Sequence, residues 1–202
     1  MTIATLPTIT PPTIRVPRIM RWTVPEFHRI CGDPVFENKR LILIEGDILE
    51  IPAPNPPHDA ALGLVEEALR SVFGAQHWVR GQMALVMGLS TDPLPDLAVV
   101  PGSPRDYRSK QPQTALLVVE ISESSLAYDL GEKSNVYAAG GIQDYWVLDV
   151  LHRQLVVFRE PATDVLAPLG ACYRTRQVLA EKAVVSPLAA PAATILVSQL
   201  LP

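Results

Sequence analysis

The amino-acid sequence predicts an α/β domain: a mixed β-sheet flanked by helices, with a β-hairpin at its N-terminal end. Three observations lead there. The apolar period alternates between two and 3.6 residues along the chain, in the order hairpin, helix, three strands, helix, two strands. One strand, "ALLVVEI" (Ala115 to Ile121), is apolar almost throughout, the pattern of a strand buried on both faces. The chain has 202 residues, of which 48% are hydrophobic, enough for a single substantial core.

Residues 1–17, "MTIATLPTITPPTIRVP", are rich in Pro and Thr with few periodic apolar positions, so they are expected to form an extended tail before a domain spanning 18–202. "LILIEGDILEI" (Leu41 to Ile51) reads as a hairpin, because Glu45-Gly46-Asp47 is a turn signal between apolar runs. "PAPNPP" (Pro52 to Pro57) interrupts it. From His58 the period becomes helical: Leu62, Val65, Leu69 and Val72 share a face, Glu66, Glu67 and Arg70 lie away from it, and Gly74 ends it. Strands are expected at Trp78 to Met87, Asp96 to Val100 and Ala115 to Ile121, with a polar loop, "GSPRDYRSKQPQ", between the last two. A helix follows over Asp129 to Ala139, stopped by Gly140 and Gly141. "DYWVLDV" (Asp144 to Val150) and "QLVVFRE" (Gln154 to Glu160) pair across a His152-Arg153 turn. A strand near Gln177 to Val185 and a short terminal helix or cover near Ala192 to Leu200 complete the chain.

The formal net charge of −4 argues against a generally basic coat for nucleic acid, which relies on Lys and Arg. The two cysteines, Cys31 and Cys172, have no metal-type spacing and read as reduced residues of a cytoplasmic protein. No apolar run is long enough to span a bilayer, and the N-terminus lacks a secretory pattern, so no membrane association is expected. Trp22, Trp78 and Trp146 read as core residues.

Two acids carry the chemistry. Asp96 opens one short apolar strand and Glu120 lies near the end of the next. Neighbouring strands lie about 4.8 Å apart, so both carboxylates can converge on one hard cation. Mg²⁺ favours one or two carboxylates, with water and substrate phosphate completing its octahedron.

"LPDLAVV" followed by "LLVVEISESSLAYDLGEKSNVYAAGGIQDYWVLDV" resembles the Uma family of restriction endonucleases, within the PD-(D/E)XK nuclease superfamily. "RWTVPEFHRI", "LIEGDILEIPAPNPPHDAALGLVEEAL" and "RGQMALVM" resemble it too. The resemblance covers about Arg21 to Pro161 well and the last forty residues loosely. It implies a restriction-endonuclease-like fold, with Asp96 and Glu120 as the motif's acids and Ile121 offering its backbone carbonyl to the metal. Ser122 occupies the usual lysine position; the family's substitute is a lysine on the following helix, here Lys133. Asp129 and Tyr137 flank Lys133 at i−4 and i+4 and either orient it or serve as a cap and a core-edge aromatic. Gln82 either points into the site or makes a structural hydrogen bond. His58, matching the family's histidine, is a cap, a packing residue or a base. Glu66 reads as a solvated helix residue.

The expected function is therefore a Mg²⁺-dependent endonuclease, with Mn²⁺ as an alternative ion. It would hydrolyse phosphodiester bonds of nucleic acid, DNA being favoured, using Asp96, Glu120 and Lys133. Arg105, Arg108 and Lys110 of the polar loop are candidates for contacting the phosphate backbone. A homodimer would suit double-strand cutting. The rival readings are an interaction module that keeps the fold without cleavage, and a nuclease subunit that needs a partner.

Overall fold

The computed structural model describes residues 17–202, so the expected tail lies, except for Pro17, outside the described residues. Ten strands and four α-helices follow: α1 Val24–Ile30, β1 Leu41–Ile44, β2 Asp47–Glu50, α2 Pro56–Phe73, β3 His77–Gly81, β4 Leu97–Pro101, β5 Leu117–Ser122, α3 Leu126–Leu130, α4 Glu132–Ala139, β6 Asp144–Asp149, β7 Gln154–Thr163, β8 Ala171–Ala180, β9 Val184–Val185 and β10 Ile195–Leu196. The main sheet has the order β3-β4-β5-β6-β7-β8. Every pairing in it is antiparallel except β5 with β6, which is parallel and crossed by α3 and α4.

Side chains alternate along each strand, so the sheet divides the core in two. Leu97, Val99, Leu117, Val119, Ile121, Trp146 and Leu148 pack with Ala61, Val65, Leu69 and Phe73 of α2. Ala98, Val100, Val118, Tyr145 and Val147 pack with Val136 and Tyr137 of α4. Glu120 and Ser122 share the parity of Val118 and therefore face α4. Helix α2 starts where expected, because Pro56 and Pro57 occupy its first turn and the Asn55 side chain accepts from the His58 N–H at 3.1 Å.

The hairpin β1–β2 turns on Glu45 and Gly46, both at positive φ (49° and 81°). A Cβ on Gly46 would lie 2.8 Å from the Arg21 Cβ, so the turn and the close approach both require glycine. Leu43 and Asp92 exchange backbone hydrogen bonds of 2.7 and 3.3 Å and tie the hairpin to the loop before β4. Helix α1 covers it, with Val24 and Phe27 against Leu43.

Four expectations are corrected. The strand expected over Trp78 to Met87 ends at Gly81, because Gln82 turns the chain with φ 48°. The helix expected over Asp129 to Ala139 is two helices meeting at Gly131 (φ −105°, ψ −93°), where a Cβ would lie 2.9 Å from the Ala127 carbonyl oxygen. The strand near Gln177 to Val185 is β8, which starts at Ala171 and ends at Ala180. The terminal cover is a single 3₁₀ turn, Val197–Gln199, after β10. Trp146 is fully buried, whereas Trp22 and Trp78 are partly exposed. Cys31 and Cys172 are free thiols, Cys31 exposed. No helix of the described residues is long and apolar enough to cross a membrane.

The C-terminal segment is locked to the sheet by Asp144, which is fully buried. Its carboxylate accepts from the Trp146 indole (2.9 Å), the Arg159 Nε (2.8 Å) and the Leu188 N–H (2.8 Å), and Arg159 also donates to the Ser186 carbonyl at 2.7 Å. Asp144→Ala would strand three donors, one of them the Arg159 guanidinium. Breaking such a pair costs about 3–5 kcal/mol, so thermal melting should show a drop of more than about 6 °C; a smaller shift would mean that the segment is held mainly by its apolar contacts.

Candidate active site

The register Leu97↔Val119 sets Asp96, just before β4, across from Glu120 in β5. Asp96 sits where its strand enters the sheet, whereas Glu120 lies within β5, opposite Val147 of β6. The Glu120 side chain is 1% exposed. Its Oε1 accepts from the Tyr137 hydroxyl at 2.6 Å and its Oε2 lies 2.9 Å from Lys133 Nζ. Lys133 comes from the first turn of α4 and spans to Asp129 at the end of α3, 3.1 Å away. Asp129 in turn accepts from the Ser125 hydroxyl at 2.5 Å, and the Ser122 hydroxyl stands 3.5 Å from that of Ser125.

Asp96 has its own partner. Its Oδ2 lies 3.1 Å from His58 Nε2, in the first turn of α2, and accepts from the Ile121 N–H at 2.8 Å. The N–H and C=O of a strand residue face the same neighbour, so the Ile121 carbonyl turns to Asp96's side, while the Ser122 carbonyl accepts from Val150 on the β6 side. Asp96 Oδ1 has only a long contact, 3.5 Å, with the Gln82 amide, although the Gln82 N–H is firmly bonded to the Asp96 carbonyl at 2.9 Å. His58 Nδ1 is buried without a hydrogen-bond partner among the described residues.

Asp96, His58, Ile121, Ser125, Asp129 and Lys133 line a cleft of about 130 Å³ between the base of the hairpin, the Pro52–Asn55 segment and the start of α3, with Glu120 buried behind them. The two acids are driven in opposite directions. Burial, reinforced by the charges of Asp96 and Asp129, raises the Glu120 carboxyl to about 8 in spite of Lys133. Burial also acts on Asp96, but the hydrogen bond and charge of His58, the Ile121 N–H and Lys133 outweigh it and hold that carboxyl below its usual range. The hydrogen bond to Asp96 raises the His58 imidazole against the effect of its own burial. Burial disfavours the Lys133 ammonium, yet Glu120 and Asp129 more than compensate and keep it charged.

The structure thus brings Asp96, Glu120, Ile121, Lys133, Asp129, Tyr137, His58 and Gln82 together. It does not bring in Arg105, Arg108 or Lys110. Arg105 belongs to the turn Pro104–Tyr107, beyond the far end of β4 from Asp96, and Tyr107 fastens that turn to the Pro101 carbonyl at 2.9 Å. Five strand residues separate the two ends, about 17 Å. Glu66 is on the exposed side of α2, paired with Arg70 at 2.6 Å. Sequence reasoning missed Arg40, Tyr128 and Glu123, which line the cleft, and Asn55 and Ser125, which line it and position His58 and Asp129. Only Asn55, an N-cap residue before two prolines, carried a readable signal.

Comparison with known proteins bears on this geometry. The solved structure of a "putative nuclease belonging to DUF820" from Anabaena variabilis ATCC 29413 superposes with a TM-score of 0.65 at 18% identity, covering 89% of this chain and 97% of that one. It shares the fold. No curated protein sequence matches the chain. A family model, Uma2, described as "Putative restriction endonuclease", matches residues 24–198. The match takes in every element from α1 to β10 and all the residues that line the cleft, and the chain belongs to the Uma2 family.

Proposed function

We propose that the protein is a divalent-metal-dependent endonuclease that hydrolyses phosphodiester bonds of nucleic acid, with DNA the favoured polymer. The observation that carries this reading is the convergence of Lys133, from a helix, on Glu120, from a strand, beside Asp96 of the facing strand. An acid pair with a lysine delivered from outside the strand is the arrangement to which the Ser122 substitution points.

The donor set fits a hard cation. Asp96 and Glu120 offer carboxylate oxygens, Ile121 a carbonyl, and Asp96 Oδ1 is engaged only by the long Gln82 contact. Among the described residues no three His, Cys, Asp or Glu side chains form a chelating group, so much of the coordination would be left to water and substrate, as Mg²⁺ or Mn²⁺ prefers. Such an ion, when bound, supplies a Lewis acid and a more acidic water. The chain's own groups do the rest. Lys133 stabilises charge on the scissile phosphate or positions the attacking water. Tyr137 fixes the rotamer of Glu120, Asn55 places His58 through the α2 cap, and His58 holds Asp96 in its ionised form. The free thiols support a cytoplasmic setting. One observation favours the rival reading of a non-cleaving module: both Glu120 oxygens are already bonded, to Lys133 and Tyr137.

Opposite pKa shifts make a stability test. Glu120 keeps a proton that the unfolded chain releases near 4.5, so its contribution is complete below that pH and is lost as pH rises through about 8. His58, also raised, contributes below 6.5 and loses this above it. Asp96, lowered from 3.8, contributes above that value and loses it in acid. At pH 8 without metal, Glu120→Gln should melt at the wild-type temperature or above it. Asp96→Asn should lose about 1.5–3 kcal/mol, the value of hydrogen bonds to a charged group. Melting curves in which both variants are equally destabilised would contradict the division of charge.

Cleavage of a labelled oligonucleotide in Mg²⁺ or Mn²⁺ tests the function directly. Asp96→Asn should abolish both turnover and calorimetric metal binding. Lys133→Ala should lower the rate about 10²–10³-fold and leave metal binding intact. Adding Ser122→Lys should restore part of the rate, since that side chain shares the Glu120 face. Metal binding without turnover in the wild type would favour the non-cleaving module.

A further inference from the structure

We infer that the cleft takes a single nucleic-acid strand rather than a duplex, gripped between Tyr128 on one wall and Arg40 on the other; this rests on the nuclease reading above. The first ground is shape. Asp96 and Lys133 are only 14% and 16% exposed, and Glu120 lies deeper still. The cleft above them is small, about 130 Å³. At the surface the Asn55 amide donates to Glu123 at 2.5 Å, joining the α2 cap to the loop after β5 and narrowing the approach. A flexible strand can lower one phosphate into such a recess. A duplex presents its phosphates on a stiff, broad cylinder.

The second ground is charge. Duplex binding draws on many phosphate contacts. The cations lining the cleft are Arg40, His58 and Lys133. His58 is committed to Asp96, and Glu123 adds a negative charge at the mouth. The turn carrying Arg105 lies at the other end of β4, and neither Arg108 nor Lys110 lines the cleft. Arg40 is anchored by a single Nη1 hydrogen bond of 2.9 Å to the Pro52 carbonyl, which leaves the rest of its guanidinium for a phosphate. Arg40 and Lys133, the latter shared with Glu120 and Asp129, therefore set the count of neutralised phosphates at no more than about two.

The third ground is Tyr128. Its ring lies 5.8 Å from Lys133 Nζ and lines the cleft, partly buried. An aromatic face beside the reacting phosphate can stack an unpaired base, whereas the bases of a duplex are stacked on one another.

The test uses the full chain in Mg²⁺ with a phosphorothioate-linked, cleavage-resistant oligonucleotide, free or annealed as a blunt duplex, followed by fluorescence anisotropy. The single strand should bind at least tenfold more tightly. Two phosphate contacts give a slope of about −1.4 in log K against log salt, so affinity should fall only about sevenfold between 50 and 200 mM salt, against about 10³–10⁵-fold for a surface that binds duplex. Tyr128→Ala should weaken single-strand binding about five- to 150-fold, and Tyr128→Phe should restore it. Arg40→Gln should halve the salt slope. Duplex binding as tight as single-strand binding, or a steep salt slope, overturns the inference, as does binding of neither form. Cleavage of unmodified duplex as fast as single strand overturns it and keeps the nuclease reading. Single-strand binding without cleavage of either form overturns the nuclease reading alone.

Discussion

A buried carboxylate in the middle of a sheet must be answered by a buried cation, and the contact between Glu120 and Lys133 is that answer here. Taking an ion out of water costs several kcal/mol even after the protein relaxes. Glu120 can end a strand as apolar as β5 only because α4 delivers an ammonium to 2.9 Å. Lys133 in turn is tolerable there because Asp129 stands at its other side, itself held by Ser125. The geometry of that chain depends on the break at Gly131, which ends α3 just after Asp129 and starts α4 just before Lys133. Tyr145, buried beneath, fixes the Asp129 carbonyl at 2.8 Å. The packing of the α4 face and the placement of the charges are thus one problem with one solution.

The same cluster separates two chemically identical groups. Asp96 and Glu120 carry the same group, yet His58 and a backbone N–H favour ionisation of one, whereas burial and two neighbouring carboxylates favour protonation of the other. Paired carboxylates with diverging pKa values are how one site holds an acid and a base at the same pH.

Much of the fold was legible because most elements bury one clear face. The run before Glu120, the α2 stripe and the β6–β7 pair all carried their period in the sequence. The misses share physical causes. Helix α1 is seven residues with two buried positions, too short for a period to show. Strand β8 is an edge with Arg174, Thr175, Arg176 and Gln177 exposed, so its alternation is weak and its start was displaced. The break at Gly131 is set by tertiary packing and leaves the apolar pattern intact. In the site, Asp96, Glu120 and Lys133 could be read from spacing and resemblance, because the acids close apolar runs. The pairing of His58 with Asp96 depends on how α2 lies across the sheet. Arg40 and Tyr128 reach the cleft from segments with no local signature, and nothing local in the basic loop says at which end of β4 it lies.

The lone parallel pairing of the sheet has a consequence for how the molecule is made. Antiparallel neighbours can close through short turns, but β5 and β6 can meet only after the whole crossover has been laid over one face. Such non-local pairing is slow, since the chain loses loop entropy before contacts reward it. That crossover is α3 and α4, the very segment that carries Asp129, Lys133 and Tyr137. Registering β5 against β6 and delivering the ammonium to Glu120 therefore depend on the same crossover: a chain whose central strands have not yet met also leaves Glu120 without its cation.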